Sequence, residues 1–89
     1  MLSSPERKAL KARAHKLEPV VQIGAKGLTD EVLAEIWRAL HAHELIKVRA
    51  ASLGRDEREA LLGAICAKTG AQAVQQVGKV FVLYRKKDE

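Results

Sequence analysis

The last apolar run of the chain, Val80 to Tyr84, constrains the fold more than any other segment. Five consecutive apolar residues leave no polar face, which is typical of a strand in the middle of a sheet. The run follows residues 73–77 after the pair Gly78-Lys79. A two-residue connection that begins with glycine predicts a type II′ hairpin. We therefore expect the chain to end in an antiparallel hairpin whose second strand is central in the sheet.

Three helices and two more strands are predicted before this hairpin. A capping box of Ser3 with Glu6 opens the first helix, Thr29 caps the second, and Gly70 ends the third. Apolar residues at helical spacing fill the segments between these signals. The helices are expected at about residues 3–17, 29–43 and 56–69, and the strands at 20–23 and 45–51.

The second predicted strand alternates apolar and cationic residues. Ile46, Val48 and Ala50 point to one face, so Lys47 and Arg49 share the other. Strand–helix–strand units imply parallel strands, whereas the final hairpin is antiparallel. The order α-β-α-β-α-β-β therefore predicts an α/β fold, a two-layer domain with a mixed four-stranded sheet.

The 89 residues suffice for one domain, which we place at residues 1–87 with 88–89 as a frayed tail. Cys66 is the single cysteine, so no disulfide can form within the chain, and its apolar surroundings predict a buried, inert thiol. No run resembles a signal peptide, and none approaches the roughly 18–20 apolar residues of a membrane span. We expect a cytoplasmic monomer without membrane contact.

The positions of the charges say more than the net charge of +5. Acids gather early in the second and third helices, where the helix dipole favours negative charge. The cations have no such local reason, and they cluster on the first helix, between two glycines, on the second strand and at the C-terminus. One cluster alone is usually an ordinary solvated face. Together they predict a continuous surface for a polyanion that joins the first helix, the glycine loop and the second strand.

The glycine loop, residues 24–27, lies between the first strand and the second helix. Glycines allow another backbone to approach closely, and the N–H groups of a helix start attract phosphate. We predict that Lys26 and this loop hold a phosphate and not a base, because the loop has no aromatic side chain. Asp30 and Glu31 are expected to point away from it. A plain turn that uses its glycines for positive φ is the alternative reading of these four residues.

Several blocks in chain order carry a family resemblance: Ala14-His15-Lys16-Leu17 after a basic helix, Pro19-Val20-Val21-Gln22-Ile23-Gly24, Lys26-Gly27-Leu28-Thr29, His43-Glu44-Leu45-Ile46-Lys47-Val48, Gly78-Lys79-Val80 and Val82-Leu83-Tyr84-Arg85. The chain resembles the CRM domain (chloroplast RNA splicing and ribosome maturation) in its stand-alone bacterial YhbY-like form. The resemblance implies a fold similar to the C-terminal domain of the third translation initiation factor. It also implies a glycine loop akin to the G-x-x-G of KH domains and association with precursors of the large ribosomal subunit.

The resemblance and the charge pattern together imply a set of RNA-contact residues. Four form the loop, six lie on the first helix and three lie on the first two strands: Gly24, Ala25, Lys26 and Gly27; Arg7, Lys8, Lys11, Arg13, His15 and Lys16; Gln22, Lys47 and Arg49. The partner would be ribosomal RNA within large-subunit precursors. His15 fits a contact to ribose or phosphate and fits an ordinary surface histidine equally well.

Other functions find little support in the sequence. His41 and His43 are two residues apart on a helix and diverge, so no metal is expected. Trp37 lies at helical spacing with Ile36 and Leu40, which predicts a core position. No catalytic or nucleotide-binding motif is present, so we expect no enzyme activity, cofactor or small-molecule substrate. The remaining alternative is a protein–protein adaptor on the ribosome, using apolar strand edges or the second helix.

Overall fold

The computed structural model describes residues 2–86. Seven elements follow the predicted order: α1 (Ser4–Ala14), β1 (Pro19–Gln22), α2 (Asp30–His43), β2 (Leu45–Arg49), α3 (Arg55–Thr69), β3 (Gln72–Val77) and β4 (Val80–Tyr84). The predicted α/β class and element order are confirmed. The predicted domain end at residue 87 and the tail at 88–89 lie outside the described residues.

Helix ends follow the local signals in the sequence. The Ser3–Glu6 capping box is formed, Thr29 accepts a hydrogen bond from the backbone N–H of Val32, and Gly70 ends α3 with a φ of 75°. The first helix ends at Ala14, three residues before its predicted end at Leu17. It stops early because the last sheet-facing residue of its apolar stripe is Ala14, whereas Leu17 is 38% exposed.

The four strands form one mixed sheet in the order β1-β2-β4-β3. β1 and β2 are parallel, whereas β4 is antiparallel to both β2 and β3. The apolar run is therefore central, as predicted. Gly78 at the first hairpin position has a φ of 57°, and Lys79 has no positive φ, which agrees with a type II′ turn.

Strand β4 is buried on both faces because its side chains alternate between two apolar clusters. Phe81 and Leu83 belong to the larger cluster, with residues of α2 and α3. Val82 belongs to the smaller one, with Leu10 and Ala14 of α1. Helices α2 and α3 therefore cover one face of the sheet and α1 covers part of the other. The predicted two-layer arrangement is corrected in this detail, because a strand that is apolar on both sides needs cover on both sides.

The register of β2 is as predicted. Ile46 and Val48 are buried in the larger cluster, whereas Lys47 is half-buried and Arg49 is exposed on the α1 side. We call that side the α1 face. No helix within residues 2–86 has both the length and the apolar character to cross a membrane.

A β-bulge in β3 decides which side chains reach the α1 face. Ala73 is paired with Leu83 and Gln75 with Val82, so the register shifts by one residue between them. Without this shift, Gln75 would share the face of Ala73, since residues two apart in a strand point the same way. Arg7 of α1 is half-buried, and its Nη1 donates to the carbonyl oxygens of Ala73 (2.6 Å) and Val74 (2.8 Å). The guanidinium therefore bonds the backbone at the bulge.

Replacing Arg7 with alanine should destabilise the protein. We expect Arg7→Ala to lower the free energy of unfolding by about 1–3 kcal/mol, because two part-buried carbonyls lose a charged donor. The exposed neighbour Lys8 is the matched control, and Lys8→Ala should change stability by less than about 0.5 kcal/mol. Urea unfolding followed by circular dichroism measures both. Equal stability of the two variants would contradict the assigned role of Arg7.

Candidate nucleic-acid interface

Helix α1 and strand β2 bring their cations together on the α1 face. Lys11 and His15 from α1 and Lys47 from β2 line one open depression with a volume of about 360 Å³. We call it the sheet depression. The remaining lining residues are small or apolar, apart from one amide, and none is acidic: Ala14, Pro19, Gln75, Val77, Val80 and Val82.

The cationic surface continues along the strands toward their carboxyl ends. Arg49 lies two residues beyond Lys47 on the same face, about 7 Å further along β2. Gln22 is its register partner on β1 and is also exposed. Because Val21 and Ile23 are buried in the larger cluster, Gln22 faces the α1 side. The glycine loop starts two residues later, so this path leads from the sheet depression to the loop.

The glycine loop is a hydrogen-bonded turn. The N–H of Gly27 donates to the carbonyl oxygen of Gly24 at 3.0 Å. Ala25 and Lys26 have no positive φ, which matches a type I turn with glycine in its last position. Gly27 needs to be glycine because its φ is 74°. Gly24 has no such need, and a Cβ there would meet nothing within 4 Å, so its surface is open to an approaching partner.

Free backbone donors surround this turn. The N–H groups of Ala25 and Lys26 donate to no acceptor within residues 2–86. Helix α2 begins at Asp30, three residues after Gly27. Within residues 2–86 the N–H groups of Asp30 and Glu31 donate to no acceptor, whereas the N–H of Val32 donates to the Thr29 hydroxyl at 3.2 Å. This arrangement of N–H groups suits an anion.

Two acidic residues lie beside the same turn. Asp30 and Glu31 line one depression together with residues 24–27, so both border the loop. Their orientation away from the loop stays a prediction. They stay close because they are the first two residues of α2 after the Thr29 cap. Lys26 also lines a second depression, against α3, where Glu57 is present. The loop therefore has an acidic border, which the sheet depression lacks.

The remaining cations predicted on the first helix lie outside the sheet depression. Arg13 and Lys16 line a groove on the other flank of the helix, together with Leu17, Glu18 and Val20. Lys8 is exposed on the helix. Arg7 donates hydrogen bonds to backbone carbonyls of β3. The structure thus gathers Lys11, His15, Lys47, Arg49 and Gln22 along one face, with the loop at its end, and separates the others from them.

Six lining residues of the sheet depression were absent from the predicted set: Ala14, Pro19, Gln75, Val77, Val80 and Val82. Gln75 and Val77 reach the α1 face only because of the bulge in β3, and Val80 follows the hairpin turn. Nothing in the local sequence marks a bulge at residues 73–75. The signal that could have found Val80 is its position two residues from Val82, on the same face of a central strand.

Trp37 is exposed, contrary to the prediction of a core position. Its side chain is 39% exposed, with the guanidinium carbon of Arg85 4.8 Å from the ring centroid and the ring of His41 4.4 Å away. Leu40 and Ile36 occupy the core-facing positions of α2 and leave Trp37 on the flank. Cys66 is half-buried, and this burial raises the pKa of its thiol.

Comparisons with known proteins agree with the predicted family. A family model for the CRS1/YhbY (CRM) domain matches residues 2–85. An RNA-binding protein of Haemophilus influenzae is 47% identical over 88 residues, which cover 99% of this chain and 89% of that protein. A probable RNA-binding protein of Pseudomonas aeruginosa is 46% identical over 85 residues, which cover 96% of this chain and 82% of its own length.

A solved structure shows the same fold. The solution structure of a Staphylococcus aureus protein, described as a candidate RNA-binding protein, superposes with a TM-score of 0.86 at 30% identity. The similarity covers 100% of this chain and 93% of that one. The chain therefore belongs to the CRS1/YhbY (CRM) domain family, in its stand-alone bacterial form.

Proposed function

We propose that this protein binds RNA through the sugar–phosphate backbone and that the open part of the α1 face, with the glycine loop at its end, is the contact surface. One observation carries the proposal: Lys11, His15 and Lys47 line a single depression that no acidic residue lines. Arg49 extends this cationic surface along β2. Its relatives in Haemophilus and Pseudomonas are named as RNA-binding proteins, which supports the same partner here.

The charges favour phosphate as the group contacted. Lysine and arginine side chains that neutralise phosphates release counterions, which supplies affinity without reading sequence. Lys11 and Lys47 would provide the main electrostatic contact, because no acidic residue lines their depression, and Arg49 would extend this contact along β2. The glycine loop would bind one further phosphate through backbone N–H groups and Lys26. Repulsion from Asp30 and Glu31 would weaken this contact.

The proposed cellular role is in assembly of the large ribosomal subunit. The RNA would be ribosomal RNA in precursors of the large subunit, bound in the cytoplasm by a monomer that assists assembly and catalyses no reaction. The resemblance to stand-alone bacterial CRM proteins supports this role. Co-sedimentation with large-subunit precursors, followed by crosslinking to identify the RNA, tests it. Absence from the precursor fractions would contradict it.

An adaptor function is the second candidate, and exposed apolar residues favour it. Val20 on the edge strand β1 is 53% exposed, and Trp37 on α2 is also exposed. Such residues suit a protein partner. Salt separates the two functions, because affinity from phosphate contacts falls steeply with salt concentration and affinity from an apolar contact does not.

Removing one cation from the α1 face should weaken RNA binding uniformly. We expect Lys47→Ala and Lys26→Ala each to lower affinity for all structured RNAs alike and to make the plot of log affinity against log salt shallower by about one unit. Arg38→Ala is the matched control, since Arg38 is exposed on α2, which packs on the opposite face of the sheet. Fluorescence anisotropy across a salt series measures the slopes, and circular dichroism confirms folding. An unchanged slope in folded Lys47→Ala would refute the proposed surface.

Neutralising the acids beside the glycine loop should strengthen binding if the loop holds a phosphate. We expect Asp30→Asn combined with Glu31→Gln to raise affinity about two- to fivefold at low salt, with the gain fading as salt screens the charges. Glu35→Gln, which removes an exposed acid one turn further along α2, should have a smaller effect. Unchanged affinity in the double variant would remove the loop from the interface and leave the sheet depression in place.

A further inference from the structure

Resting on the proposed function, we infer that the sheet depression takes one unpaired nucleotide of the RNA, with its base against an aliphatic floor and its flanking phosphates at Lys11 and Lys47. Such a site would bind RNA with an unpaired residue in preference to a continuous duplex.

The floor of the depression is apolar and uncovered. Val77 and Val80 are cross-strand partners in the β3–β4 hairpin, and Gln75 and Val82 form the next pair on the same face of the sheet. Val77 is 56% exposed and Val80 is half-buried, although both lie on a surface rimmed by cations. Covering these valines with the flat face of a base removes apolar area from water, which stabilises the complex without an aromatic partner.

The rim selects an anionic occupant. Lys11, His15 and Lys47 line the depression without an acid, so a basic peptide would be repelled and a phosphodiester would be attracted. Gln75 lines the same depression and adds a side-chain amide to it. Its side-chain amide has no hydrogen-bond partner within residues 2–86. An amide carries both donors and an acceptor, which match the edge of a nucleobase.

The dimensions and the shape of the depression favour a single unpaired nucleotide. Its volume of about 360 Å³ lies at the small end of the range of about 300–1,000 Å³ that is typical of ligand sites. A duplex keeps its base faces stacked inside the helix and presents ribose hydroxyls and phosphates to a protein. A duplex docked here would leave the valine floor uncovered, whereas a bulged or loop nucleotide can turn its base onto the floor.

The test compares two RNA duplexes of matched length, each annealed from two strands and so without a hairpin loop, one fully paired and one with a single unpaired adenosine. Val77→Ser should weaken binding of the bulged duplex about fivefold, because one apolar contact to the base is lost, and should leave binding of the fully paired duplex unchanged. Val20→Ser is the matched control, since Val20 is 53% exposed on the other edge strand and does not line the depression. It should change neither affinity. Both valines are on edge strands, so the variants should fold, and circular dichroism verifies this.

Lys47→Ala, measured on both duplexes, separates this inference from the proposed function. If Lys47→Ala weakens binding of both duplexes while Val77→Ser weakens binding of neither, the RNA surface stands and the unpaired nucleotide is overturned. The same holds if Val77→Ser weakens binding of both duplexes equally. If Lys47→Ala weakens neither, the proposed function itself fails. If the depression binds a protein side chain and not a nucleotide, Val77→Ser will leave the affinity for both RNAs unchanged, and the inference is overturned.

Discussion

Strand β4 requires apolar cover on both of its faces, and the arrangement of the other elements follows from this requirement. Phe81 and Leu83 are fully buried under α2 and α3, and Val82 is 1% exposed beneath α1. A sheet with one solvated face would expose Val82 and lose the stabilisation of burying it, which is about 1.5–3 kcal/mol for a valine-sized side chain. Helix α1 therefore packs on the second face, although its apolar stripe consists of little more than Leu10 and Ala14.

The small apolar stripe of α1 also creates the candidate site. The helix has 11 residues and is about 16 Å long, so it covers only part of the face. The side chains beneath it are Leu45, Val74 and Val82. Beyond them the face is open, and there β2 presents Lys47 and Arg49. One helix thus completes the core with its buried side and places Lys11 and His15 at the border of the exposed area. The bulge bonded by Arg7 adds Gln75 and Val77 to that area.

The sequence was sufficient to predict the elements and the family but not all of the site. Caps at Ser3, Thr29 and Gly70 are local signals, and the alternation in β2 depends only on the geometry of a strand, so these predictions are confirmed. The layering, the register of β3 and the surroundings of the glycine loop depend on contacts between residues far apart in the chain. For that reason the second helix layer, the bulge beside Arg7 and the position of Glu57 beside the glycine loop could not be predicted. Trp37 shows the same limit, since helical spacing alone does not separate a core position from the flank of a helix.

In the proposed complex, RNA contacts the open part of the α1 face and not the outer surface of α2. Chemical-shift mapping of the backbone amides during titration with an RNA hairpin at low salt tests it most directly. We expect the largest changes in four segments, 11–15, 24–27, 47–49 and 75–80, with little change around Trp37 and Arg38. Changes concentrated on α2 around Trp37, with segments 47–49 and 75–80 unaffected, would contradict it.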